Sequence, residues 1–136
     1  MSPVPNDPQT AFIRELQSRY DQRPTGWLLS APDIELWTQI VGSTRRDAYN
    51  AMARQIAVGF HEGRLPFWFC DAVVNAIIGF VYDDWTAKGE DFPALFYEIY
   101  LAFDAGEVSR PGVDPIETYT RPMIAKIVHD LGNEAG

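Results

Sequence analysis

The stretch LPFWFCDAVVNAIIGFVY, Leu65 to Tyr82, decides the fold. Its β-branched residues Val73, Val74, Ile77, Ile78 and Val81 would suit a strand. The run is too long for an ordinary strand, however, and apolar residues do not alternate along it. A helix with apolar residues on every side is a helix buried all round, so the stretch reads as the central helix of an all-α bundle, about residues 66–82. A membrane span is the competing reading. Eighteen helical residues reach only about 27 Å. Asp71 and Asn75 interrupt the run, and an Asp at the centre of a bilayer costs about 2.5–3.5 kcal/mol on insertion scales. The helix is therefore expected inside a soluble protein, with no membrane partner.

Outward from this helix, the chain is punctuated by helix starts and stops. Asp7-Pro8 reads as an N-cap with Pro at the first helical position. Phe12, Leu16 and Tyr20 then form a core-facing row, and Arg23-Pro24-Thr25-Gly26 ends the helix. Ser30 with Asp33 resembles a capping box for a short helix carrying Ile34, Trp37, Ile40 and Val41, which Gly42 stops. Ser43 or Thr44 caps a third helix with Tyr49, Met52, Ile56 and Phe60 inward, and Gly63 closes it. Asp91-Phe92-Pro93 begins the next, with Phe92, Leu95, Phe96, Ile99, Tyr100 and Phe103 on a broad apolar face that Ala105-Gly106 terminates. Asp114-Pro115 opens a short helical turn. Thr120-Arg121-Pro122 caps a last helix that points Ile124, Ile127, Val128 and Leu131 inward. These elements predict one helical domain over residues 1–136, a bundle of five to six helices with frayed ends at 1–6 and 133–136.

Composition narrows the class of function. The chain has 136 residues, 46% of them hydrophobic, enough for a real core without staples. Cys70 is the only cysteine, so no internal disulfide can form, and a reducing cytoplasm is the expected location. The N-terminal segment shows no signal-peptide pattern. The net charge is −8, which argues against phosphate neutralisation and hence against a nucleic-acid partner. That charge is uneven. Met1 to Arg64 carries seven basic and seven acidic residues; Leu65 to Gly136 carries four basic and twelve acidic ones. An acidic half can steer a basic partner.

No familiar catalytic or cofactor signature is present in the sequence. His61 and His129 are not at metal-ligand spacing, Cys70 reads as a small core residue, and neither a metal nor a cofactor is expected. Asp83, Asp84, Glu90 and Asp91 bracket Trp85 and Gly89 without matching a Ca²⁺ loop, and Asp91 reads as a helix cap. Glu98, Asp104 and Glu107 have no spacing that demands a paired-carboxylate enzyme. Asp71 and Asn75, at i and i+4, share one helix face and need partners. Arg45, Arg46 and Arg54 on the preceding helix are candidates. Such a cluster is either a clamp between two helices or a polar pocket for a small ligand or substrate.

The segment from Asp104 to Pro122 adds Arg110, Glu117, Tyr119 and Arg121, residue types favoured at interfaces and on functional loops. The reading is a small acidic helical module that recognises a basic protein partner through its C-terminal half. The expected contact residues are Asp83, Asp84, Glu90, Asp104, Glu107, Arg110, Glu117, Tyr119 and Arg121. Bacterial immunity proteins share this general character, and nine Arg against two Lys fits a GC-rich bacterial genome. No motif ties the chain to a particular immunity family. The alternative is a ligand-binding or enzymatic pocket at Asp71, Asn75, Arg46 and Arg54. A third reading is a homo-oligomer held by Trp27, Trp37, Trp68, Trp85 and Tyr97.

Overall fold

The computed structural model describes residues 7–24 and 28–135. They form six helices and no strand: α1 (Pro8–Gln22), α2 (Ala31–Val41), α3 (Arg45–His61), α4 (Phe67–Ala87), α5 (Ala94–Glu107) and α6 (Arg121–Ala135). A single π-helical turn, Ile116–Thr120, leads directly into α6. No helix among the described residues is long and apolar enough to cross a membrane. The turn residues 25–26, the expected frayed segment 1–6 and Trp27 lie outside the described residues. The other expected frayed end remains helical through Ala135.

Local caps set most of the boundaries. Asp7 accepts the Gln9 N–H at 3.2 Å, and Asp33 accepts the Ser30 N–H at 2.8 Å. Thr44 accepts the Asp47 N–H at 3.1 Å. Each satisfies a donor that the first helical turn leaves open. Gly42 ends α2 at φ 76°, a left-handed backbone that glycine adopts without strain.

Two starts depart from the sequence reading. Asp91 does not cap α5, which begins three residues later behind Pro93. Its open N–H at Phe96 is accepted instead by Asn50 Oδ1 of α3, at 2.9 Å. Thr120 does not cap α6 either. It is fully buried, and its hydroxyl donates to the Ala102 carbonyl at 2.7 Å. Gly106 leaves the room for this contact, since a Cβ there would lie 2.4 Å from Thr120 Oγ1 and 2.7 Å from the Phe67 ring.

The hub of the bundle is α3, which packs against α2, α4, α5 and α6. Its inward residues Ala48, Ala53 and Ala57 are small, and so is Gly59, against which the Leu65 side chain is pressed. Small residues let neighbouring helices approach closely, and Met52, Ile56 and Phe60 fill the space between them. The apolar α4 contributes Phe69, Cys70, Val73, Val74, Ile77 and Val81 to this core. It is not enclosed on every side. Trp68 is 55% exposed and Trp85 49%, and Asn75, Gly79 and Tyr82 are also open. The all-round apolarity of α4 therefore combines a buried face with an uncovered one.

Candidate functional site

Helices α4 and α5 run antiparallel, and their open faces join into one surface. At one end the Trp85 and Phe92 rings meet edge-on at 5.1 Å, and Phe92 meets Tyr97 at 5.2 Å. Tyr97 stacks on Tyr100 at 5.9 Å. The spacing of 97 and 100 is one helical turn, which places both rings on the same side of α5. The Tyr82 hydroxyl of α4 hydrogen-bonds to that of Tyr97, which raises its pKa. Tyr100 is also raised, by burial first and then by the nearby charges of Asp104 and Glu107. The aromatic row thus runs into a group of acids.

Those acids surround Asp71. This side chain is 6% exposed, and its Oδ1 accepts no hydrogen bond. Burial raises its pKa most; the facing carboxyl of Glu107 and the charge of Asp104 raise it further, to about 8. Asn75 offers partial relief from one helical turn away, but its amide donates to Glu107 Oε2 at 2.9 Å. The clamp expected between α4 and α3 thus joins α4 to α5. The arginines expected as partners lie elsewhere. Arg46 pairs with Asp47 at 3.2 Å and Asp91 at 3.8 Å, and Arg54 is exposed on α3.

The second buried aspartate of α4 has the opposite surroundings. Asp84 is 4% exposed, which removes it from the expected recognition surface. Its Oδ2 accepts the Tyr49 hydroxyl at 2.5 Å and faces Arg45 Nε at 3.5 Å, while Oδ1 faces Lys88 Nζ at 3.2 Å. Burial and then the Asp84 hydrogen bond hold the Tyr49 phenol far above its ordinary pKa, so it remains a donor. Asp84 falls on the same helical row as Val74, Ile77 and Val81, which is why it points inward. Glu90 is tied to the same corner through its N–H, which donates to the Asp84 carbonyl at 3.0 Å.

The remaining expected contact residues form two groups. Asp83, Asp104 and Glu107 are exposed on α4 and α5. The segment after α5 is largely engaged internally: the Arg110 guanidinium lies 4.6 Å from the centre of the Tyr119 ring. Arg121 pairs with Glu117 at 3.0 Å and lies 4.8 Å from the centre of the Phe60 ring. Trp37 does not serve a self-interface either, being 2% exposed with its indole N–H donating to the Ala48 carbonyl at 2.8 Å. Sequence reading missed the aromatic row as a unit. The pairs Tyr82/Trp85 and Tyr97/Tyr100, each three residues apart and on adjacent helices, were the available signal.

Elsewhere an apolar groove of about 340 Å³ lies between α1 and α2, lined in part by Phe12, Leu16, Leu36 and Ile40. Arg19 and Asp33 close its polar edge with a pair at 2.9 Å. No group of three or more His, Cys, Asp or Glu side chains among the described residues is placed to hold a metal ion. Cys70 is buried in the core, and burial raises its thiol pKa. No known protein family, curated protein or solved structure matches the chain.

Proposed function

We propose that this protein is a binding module, immunity-like or regulatory, that recognises a basic protein segment through the joined faces of α4 and α5. The observation that carries the reading is the continuous row Trp85–Phe92–Tyr97–Tyr100, which ends at Asp104, Glu107 and Asp71. Aromatic faces and carboxylates are the two surfaces that attract guanidinium and ammonium groups. The exposed Tyr82 and Trp85 of α4, beside the half-buried Tyr97 and Tyr100 of α5, are also the kind of side chain that anchors interfaces. The charge of the chain supports the same partner, because the whole net −8 arises after Leu65. A second copy of the chain would bring an equally acidic face, so charge favours a basic partner over self-association. The pocket alternative has less support, because Arg46 pairs with Asp47 and Asp91 and Arg54 is exposed on α3.

The test is a titration of the full chain with an arginine-rich peptide and with an acidic peptide of equal length, followed by amide NMR. The reading expects shifts confined to α4 and α5 with the basic peptide only. It also expects affinity that falls as salt is raised, and loss of binding in Trp85→Ala with the helical circular dichroism unchanged. Equal binding of both peptides, or shifts centred on α1 and α2, contradicts it.

A further inference from the structure

Among the described residues, no cation pairs with the buried Asp71. Its Oδ1 is buried without a partner, and the groups acting on it are Glu107, Asp104 and the Asn75 amide. One of the two N–H donors of the Asn75 amide is given to Glu107. Burial first, and then the neighbouring carboxyl of Glu107, favour the neutral form of Asp71. Thirteen residues along the same helix, Asp84 receives Arg45 and Lys88. The chain can thus supply cations to a buried aspartate on α4, and at Asp71 a proton takes that place.

We infer that the cluster of Asp71, Asn75 and Glu107 is a guanidinium subsite, in which an arginine of the basic partner supplies the positive charge that the two carboxyls lack. The inference rests on the α4–α5 reading above and names the side chain that this face receives. Glu107 and Asn75 are exposed, and the buried Asp71 lies next to them. A planar guanidinium offers several N–H donors in a fixed fork, which can serve two carboxylates at once while its face lies on a tyrosine such as Tyr100. An ammonium lacks both features. The exchange balances without covalent change: the guanidinium enters with its charge, Asp71 becomes a carboxylate, and one proton leaves to the buffer.

The probe is L-argininamide, added to the full chain while the Asp71 carboxyl ¹³C resonance is followed from about pH 5 to pH 10, the range spanning its raised midpoint. The expected result is a midpoint lowered by about one pH unit or more at saturation. Calorimetry near neutral pH, in two buffers of different ionisation enthalpy, should show net proton release. Asp71→Asn, which keeps the shape of the protonated acid, should abolish that release and weaken argininamide about tenfold. An unmoved Asp71 midpoint overturns the inference, and so does an equal shift with lysinamide. An arginine-rich peptide that binds α4–α5 without proton release overturns the subsite and leaves the wider face standing. A shifted midpoint with argininamide, beside a peptide that does not bind, upholds the subsite and overturns the wider face.

Discussion

Helix α4 buries two aspartates, and their surroundings have opposite character. Asp84 meets a phenol, a guanidinium and an ammonium. Asp71 meets a carboxyl, a further acid and an amide that it shares with Glu107. Desolvation is costly at both positions. At Asp84 the bundle offsets it with cations drawn from α3 and from the end of α4, and the result fixes how those helices dock. At Asp71 no cation of the described residues offsets it, and the side chain keeps its proton. A buried acid with its cations is part of the scaffold, whereas a buried acid without them, at the edge of an open face, is poised for a charge that comes from outside.

Breaking the first site should have the largest effect. Asp84→Ala leaves Arg45 with an uncompensated, mostly buried guanidinium and Tyr49 with a buried hydroxyl lacking its acceptor. Removing one partner of such a pair costs about 3–5 kcal/mol. Lys88 is 57% exposed, so its share is small. Urea unfolding should show the loss as a lower midpoint with an unchanged slope. A change near zero would remove the distinction between the two aspartates.

Sharpening the second site calls for a smaller change. Glu107→Gln removes the carboxyl that faces Asp71 while keeping hydrogen-bonding capacity toward Asn75. The Asp71 pKa should fall toward the ordinary carboxylate range, and stability above that range should rise by less than about 1 kcal/mol, because residue 107 is exposed. Carboxyl NMR and urea unfolding at alkaline pH check both parts. An unchanged Asp71 titration would mean that Glu107 has no part in holding its proton.

The sequence made the local features of the fold readable and left out those built across distance. Asp7-Pro8, Ser30 with Asp33, Gly42 and Thr44 act within one helical turn, and each marks its boundary as expected. The start of α5 was misplaced because its cap, Asn50, comes from another helix. Hydrophobic content points to α4 as the centre, whereas α3 is the helix that packs against four others. The alanines of α3 and Gly59, which permit close approach on several sides, were equally visible and carried that information. The same division holds at the site. Asp71 and Asn75 stood out as a pair one turn apart, while Glu107, 32 residues from Asn75, could be paired with them only by the fold. Asp84 was read as a surface charge beside Asp83, although its spacing from Val81 and Ile77 placed it on the buried row.

The difference between the two aspartates is most directly tested by unfolding free energy against pH, for the natural chain and for Asp71→Asn. Asp71 holds its proton more tightly folded than unfolded. Its contribution is therefore fully present below the ordinary carboxylate range and is lost as pH rises toward about 8. Asp33 acts in the other direction. Burial works against its charge, but hydrogen bonds from Arg19 and Ser30 outweigh this and lower its pKa, so its contribution is lost in acid. That contribution is common to both proteins and cancels in the comparison. The account predicts that the natural chain loses stability between about pH 4 and pH 8 relative to Asp71→Asn, which carries no titrating group at this position. Parallel curves over that window would show that Asp71 is not held protonated by its acidic neighbours, and would contradict the account.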